Sequence, residues 1–215
     1  RIARTPLRTG LHANWKPAVL TLAFGTLHGV GYYYIATYTV NYLQVTVHLE
    51  AKQALLITGS ALLFYALLCG FAGWVVDRVG RRVPNLLVAA GYLILPIPAF
   101  ALIGSGAIPL ILLGLLALVV VQTFASVTCV ILLVELFPAS TRASSSAVSF
   151  NIAIAFIAGP APYIGAWLAA TFGSPIAPAF YLVGLAAIAI VVLVRLLPET
   201  KDWDLATDRP QWTTG

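Results

Sequence analysis

Six apolar runs of twenty residues or more follow one another along the chain: 17–43, 55–76, 84–103, 108–134, 143–172 and 176–197. A helix rises about 1.5 Å per residue and a bilayer's hydrocarbon layer is about 30 Å thick, so roughly twenty apolar residues cross it. Within that layer only internally hydrogen-bonded backbone is tolerated, and the runs are therefore predicted to be helices. The shortest break, Gly104-Ser105-Gly106 followed by Pro109, has the chemistry of a tight turn. Composition closes the alternatives. Only 9% of residues are charged, against roughly 25% in a soluble domain, which excludes that class. A net charge of +5 spread over a mean hydropathy of +0.95 also excludes a nucleic-acid-binding surface.

The basic residues therefore report topology, since cytoplasmic connections collect Lys and Arg. Arg1, Arg4, Arg8 and Lys16 precede the first run; Arg78, Arg81 and Arg82 follow the second; Arg142 follows the fourth; Arg195, Lys201 and Arg209 close the chain. The alternate connections hold Lys52 alone. The expected division is a cytoplasmic linker over 1–16, a six-helix transmembrane unit over 17–197 and a cytoplasmic tail over 198–215. The chain is expected to be a multi-pass protein of the cell (inner) membrane with both ends cytoplasmic. The opening Arg1-Ile2-Ala3-Arg4 and the absence of methionine read as a fragment of a longer chain. Cys69 and Cys129 lie in separate apolar runs, without the spacing of a metal or redox pair. No metal site and no cofactor is expected.

Polar residues are costly against lipid, so their distribution separates outer helices from those lining an interior. The third and sixth runs are nearly free of them and are expected outside. The first carries Thr26, His28 and Tyr32 to Tyr34, then Thr37, Tyr38, Thr39 and Asn41. The fourth carries Gln122, Thr123, Ser126, Thr128 and, at its end, Glu135. Helical spacing groups Tyr34, Tyr38 and Asn41 on one stripe, Tyr33 and Thr37 on the next, and Gln122 with Ser126 on the fourth helix. With Asn151 of the fifth run these are the candidate cavity residues. Each could equally serve as interhelical packing glue. His28 is a possible proton-linked group or a hydrogen-bonded structural histidine. Gly159-Pro160-Ala161-Pro162 should bend or break the fifth helix.

After the second run stands Gly73-Trp74-Val75-Val76-Asp77-Arg78-Val79-Gly80-Arg81-Arg82. Gly73 would permit close helix approach, Asp77 accepts charge-assisted bonds, Gly80 allows a tight turn, and Arg78, Arg81 and Arg82 form a basic clamp. This segment resembles the G-x-x-x-D-R-x-G-R-R loop of the major facilitator superfamily. Glu135-Leu136-Phe137-Pro138 with Arg142 is similar to that superfamily's E-x6-R gate signature. Pro198-Glu199-Thr200-Lys201 resembles the close of its sugar-porter branch. Tyr33-x3-Thr37-Tyr38-x3-Tyr42-Leu43, Ile97-Pro98-Ala99-Phe100 and Ser149-Phe150-Asn151-Ile152, continuing to Ala166-Trp167-Leu168, resemble the metabolite:proton symporters and their proline/betaine branch.

The resemblance implies that the six spans are the C-terminal half of a twelve-helix carrier whose first and fourth helices line the central cavity. Gly73, Asp77, Arg78, Gly80, Arg81, Arg82, Glu135 and Arg142 would form the cytoplasmic gate, Glu135 pairing with Arg142 or with a loop arginine. Function is then secondary active transport by alternating access, with proton-coupled symport of a small organic acid or zwitterionic osmolyte. A sugar-porter-like or drug-efflux carrier is the alternative within the superfamily, and a non-transporting membrane sensor lies outside it. Expected partners are a small-molecule substrate, a proton, the bilayer and the missing N-terminal half. No mid-membrane carboxylate occurs in the six runs, which assigns coupling to that other half, with His28 the one local competitor. Convergent catalytic groups are absent from the runs, and no enzyme activity is expected.

Overall fold

The residues between the apolar runs end each helix by their own chemistry. In the computed structural model, which describes residues 15–201 and 203, the left-handed glycines Gly80, Gly106 and Gly173 stand at three of these breaks. Pro109 and Pro162 occupy first turns, where a missing N–H costs nothing. Arg1, Arg4 and Arg8 of the expected linker and Arg209 of the expected tail lie outside the described residues, while Trp15 and Lys16 already belong to the first helix.

Helix α1 (Trp15–Tyr33) continues through a π-helical turn (Tyr34–Tyr38) into α2 (Thr39–Val45). Next come α3 (Ala51–Val79), α4 (Arg82–Ile94), α5 (Pro96–Ile103) and α6 (Ile108–Glu135). Helix α7 (Arg142–Ala153) runs through a second π turn (Ile154–Ala158) to α8 (Ala161–Phe172), and α9 (Ala179–Leu196) follows. Among the described residues, Ala51–Val79, Ile108–Glu135, Arg142–Phe172 and Ala179–Leu196 are each long and apolar enough to cross a membrane. The pair α4 and α5 makes a fifth such span if taken together. The stretch from Trp15 to Val45 is helical as well, but Lys16, His28 and its tyrosines dilute its apolar character.

Two runs differ from expectation. The third run is bent by 50° between α4 and α5, where Pro96 removes an amide donor and its ring crowds the preceding turn. The fifth run keeps a single 31-residue course over Arg142–Phe172, its Gly159-Pro160 step absorbed beside the π turn.

Helix α6 is the hub, packed on α1, α3, α4 and α5, while α9 lies along α1 and α4. Leu20, Leu27, Leu43, Ile111, Leu115 and Leu132 are fully buried there. Leu63, Leu67 and Phe71 of α3, Leu87 and Ile94 of α4, and Ile188 and Val191 of α9 face outward, the apolar exterior that lipid requires. Helix α4 is not wholly an outer helix, however, because it turns Tyr92 into the interior. The breaks at Gly80, after Glu135 and after Leu196 lie together at one end of the bundle, the arginine end, and the turns near 46, 104 and 173 lie at the other.

Candidate functional site

At the arginine end the loop motif meets the ends of α6 and α9. Arg81 Nε donates to Glu135 Oε1 at 3.0 Å and to Oε2 at 3.3 Å, with side chains only 12% and 9% exposed. Arg81 also lies 3.4 Å from Asp77, whose carboxylate is 68% exposed. Thr200 Oγ1 donates to the second oxygen of Glu135. Of the two partners open to Glu135 in the sequence, a loop arginine is the one that holds it here; Arg142 Nε donates to the carbonyl of Phe137 at 3.2 Å. Arg78 stacks on Trp74, 3.9 Å from the ring centroid, a cation–π contact.

The Glu199 carboxylate accepts N–H bonds from Arg81, Arg82, Thr200 and Lys201 at 2.8, 3.1, 3.0 and 3.1 Å. The first two amides open α4, whose dipole favours an anion there. Burial alone would raise the Glu199 pKa, but the four backbone donors outweigh it and hold it below the ordinary glutamate value. Lys201 Nζ returns to the carbonyl of Arg78 at 2.8 Å. Gly80, at φ 99°, leaves the space that Glu199 fills: a Cβ there would stand 2.7 Å from Glu199 Cδ. Beside Gly73 the space is open, since no atom of the described residues lies within 4 Å of where its Cβ would be.

Midway along the bundle a second polar cluster joins four helices. Gln122 Nε2 lies 2.9 Å from Ser126 Oγ and 3.2 Å from both the carbonyl and Nδ1 of His28. Tyr92 donates its hydroxyl to Gln122 Oε1. Tyr65 donates to Ser126 Oγ at 2.8 Å, and Ser126 Oγ is 3.0 Å from His28 Nδ1. With Tyr65 supplying one proton to Ser126, the serine's own proton is directed at Nδ1, which assigns the Nε2–H tautomer to His28 from the network. The half-buried imidazole lies between Phe150 and Tyr32, centroids 6.1 and 6.4 Å away, and Tyr32 is 6.3 Å from Tyr65. The resulting wall carries aromatic faces and hydroxyls but no formal charge. It can accept a cation on its rings and a carboxylate on its donors.

The structure brings Gln122, Ser126 and His28 together and sends the other cavity candidates elsewhere. Tyr34 and Tyr38 form a buried ladder with Tyr42 and Phe100, centroids 5.0 to 6.3 Å apart. Tyr34 donates to the carbonyl of Pro178 at 3.0 Å and Tyr42 to that of Pro175 at 2.8 Å. Tyr33 is half-buried with its ring 6.2 Å from Tyr32. Thr37 and Asn41 are exposed. Asn151 is exposed too and returns its amide to Ala147 O in its own helix at 2.8 Å. Sequence reasoning counted Tyr32 among the polar residues of the first run and Glu199 and Thr200 within a closing motif, but placed none of these, nor Tyr65 or Tyr92, among the site residues. For Tyr32 the signal was available, because it stands four residues beyond His28 on one helical face. Tyr92 is the one hydroxyl of α4, and Tyr65 shares α3 only with the scattered Thr58 and Ser60, so neither stands in a dense polar stripe. Among the described residues, no group of three His, Cys, Asp or Glu side chains could hold a metal.

The family model described as "Sugar (and other) transporter" matches residues 13–209. An ectoine/proline transporter of Corynebacterium glutamicum is 30% identical over 93% of this chain and 40% of its own length. The proline/betaine transporter of Escherichia coli is 31% identical over 85% of this chain and 36% of its own. A glycine betaine/proline/ectoine/pipecolic acid transporter of Dickeya dadantii is 31% identical over 83% and 35%. The chain thus spans about two-fifths of the length of these curated relatives. A match of this extent, on helices long and apolar enough to cross a membrane several times, makes the chain a multi-pass membrane member of the sugar (and other) transporter family, within the major facilitator superfamily.

Proposed function

We propose that this chain is the C-terminal six-helix half of a twelve-helix secondary carrier that moves a small zwitterionic osmolyte, together with a proton, by alternating access. The supporting observation is the uncharged wall of His28, Tyr32, Tyr65 and Phe150, backed by Ser126 and Gln122. Aromatic faces attract a quaternary or secondary ammonium, while hydroxyl and imidazole donors suit the carboxylate of the same molecule. The relatives named for proline, betaine and ectoine agree in substrate chemistry.

In this reading residues 17–197 are the half-carrier and 1–16 and 198–215 flank it in the cytoplasm, with the protein in the inner membrane. The arginine end then faces inward. Exposed Asp77, held to Arg81 only at 3.4 Å, is available to the other half, and Gly73, with open space beside it, is where that half approaches. Together with Arg78, Gly80, Arg81, Arg82, Glu135 and Arg142 these residues latch the state closed to the cytoplasm. The coupling carboxylate belongs to the other half, and two halves rocking about a midplane site supply the access change.

The test is uptake of radiolabelled proline, glycine betaine and α-ketoglutarate by the full-length protein in proteoliposomes, with and without an inward proton gradient. Gradient-driven accumulation of proline or betaine is expected. Accumulation of α-ketoglutarate alone would move the substrate to organic acids. Uptake of none, with a hexose or a cationic drug transported instead, would replace this reading with the sugar-porter or efflux alternative.

A further inference from the structure

Between the facing ends of α3 and α4, with α6 behind them, lies a groove of about 290 Å³. Val75 and Val79 form one wall, Val83 and Leu87 the other, and Val120 and Phe124 lie behind. Val79, Val83 and Leu87 are exposed, so the groove is on the outside of the bundle. Every side chain lining it is apolar. A held water needs about two to four polar partners, and hydrocarbon is therefore what fits. The groove also turns away from the surface assigned above to the other half. At about 100° per residue, Val75 and Val79 stand about 160° round the helix from Gly73 and Asp77, which opens the groove to the bilayer.

The arginine end of this groove carries uncompensated positive charge. Arg78 stands three residues beyond Val75, hence beside it on the helix surface, and next to Val79. Its guanidinium lies 3.9 Å from the Trp74 ring centroid and makes no ion pair and no side-chain hydrogen bond among the described residues. The N–H fork that matches a phosphate is thus uncommitted. Lys201 Nζ, 2.8 Å from the Arg78 carbonyl, adds a second positive charge. The nearby carboxylates are engaged elsewhere, Glu135 and Asp77 by Arg81 and Glu199 by backbone amides.

From this wholly apolar groove ending at an uncommitted arginine, we infer a binding site for one anionic phospholipid, an acyl chain lying between α3 and α4 and the phosphate on Arg78 with Lys201 beside it. The exposed Trp74 supplies an indole at the same level, a side chain suited to the membrane–water boundary. The phosphate gives Arg78 the counter-charge that no carboxylate gives it, and moors the Asp77 to Arg82 loop to one leaflet. That this leaflet is the cytoplasmic one rests on the carrier reading above; the binding itself does not.

The experiment is native mass spectrometry of the full-length protein, delipidated in detergent and given dioleoyl phosphatidylglycerol or dioleoyl phosphatidylcholine at equal concentration. In the parent the first lipid adduct is expected to favour phosphatidylglycerol about fivefold, the contribution of one basic side chain near an anionic headgroup. Arg78→Gln should abolish that preference while the acyl chain still holds either lipid. Val120→Trp, which fills the groove from behind, should lower occupancy by both lipids. Val83→Phe at the exposed rim repeats this arm if Val120→Trp does not elute as a monodisperse species. Equal binding of the two lipids by the parent, a preference that survives Arg78→Gln, or occupancy undiminished by the filling variant would overturn the site. Any of these with proline or betaine uptake by the parent would leave the carrier reading standing, whereas the expected lipid pattern without uptake would uphold the site and overturn that reading.

Discussion

Arg81 and Glu135 meet through both oxygens of one carboxylate, at 3.0 and 3.3 Å, with nearly all of each side chain withdrawn from the surface. Removing one member of such a pair leaves the other charge without compensation. Glu135→Ala is expected to cost about 3 kcal/mol, against less than about 1 kcal/mol for Asp77→Asn at the exposed end of the same guanidinium. Thermal unfolding of the detergent-solubilised protein checks this. Equal shifts for the two variants would show that burial does not set the strength of this cluster.

Gly80→Ala should be poorly tolerated, because a left-handed φ of 99° and a Cβ 2.7 Å from Glu199 Cδ act together. The expected loss is about 2 kcal/mol. Combining it with Glu199→Ala should recover the portion due to the clash, leaving the backbone portion behind. A strictly additive double variant, read from the same unfolding curves, would rule out contact between the two positions.

The depressed pKa of Glu199 gives a definite sign to its acid response. A group held lower in the folded state contributes stability at pH values above its unfolded pKa, near 4.3, and that contribution is lost as pH falls through the folded value. The stability difference between the parent and Glu199→Gln should therefore be constant around neutrality and shrink below about pH 4. Unfolding midpoints measured from pH 7 down to pH 3 test it, and a difference that grows on acidification would reverse the assignment.

Gln122 offers its Oε1 to the fully buried Tyr92 hydroxyl and its Nε2 to His28 and Ser126. Gln122→Leu should destabilise the bundle by about 2 kcal/mol, mainly through the stranded tyrosine. Adding Tyr92→Phe should restore about half of that loss, since no donor then remains unmet. Absence of any recovery would mean that the cost arises on the His28 side of the network.

The helices were legible because their signal is long: twenty apolar residues at a time, punctuated by Gly80, Gly104-Ser105-Gly106 and Gly173. The Asp77 to Arg82 loop was legible for a different reason, since its glycine sits where a left-handed turn is needed and its charges cannot enter lipid. The bend at Pro96 was missed, although proline inside an apolar run carries that meaning. The cavity stripe was read from helical spacing on the assumption of one unbroken α-helix. That assumption placed Tyr34 and Tyr38 beside Gln122, whereas they pack on Phe100 and the segment at 175–178. Glu199 and Thr200 escaped notice as site residues because their partners are backbone amides and a carboxylate far away in sequence, and neither relation leaves a local pattern.

The two π-helical turns each grip the opposite span: Ile154–Ala158 lies against α1, and Tyr34–Tyr38 against α8. At these crossings a Cβ on Gly29 would stand 2.6 Å from that of Ala158, and one on Gly165 would stand 2.9 Å from the Tyr34 ring. A π turn holds one residue more than the α-helix it interrupts, so it advances the phase of everything beyond it by about 100°. Each of these spans is therefore two independently indexed half-helices on one axis. Losing or gaining a single residue at such a turn would re-aim the outer half, with its tyrosines or its alanines, while the half anchored at the arginine end kept every contact it has.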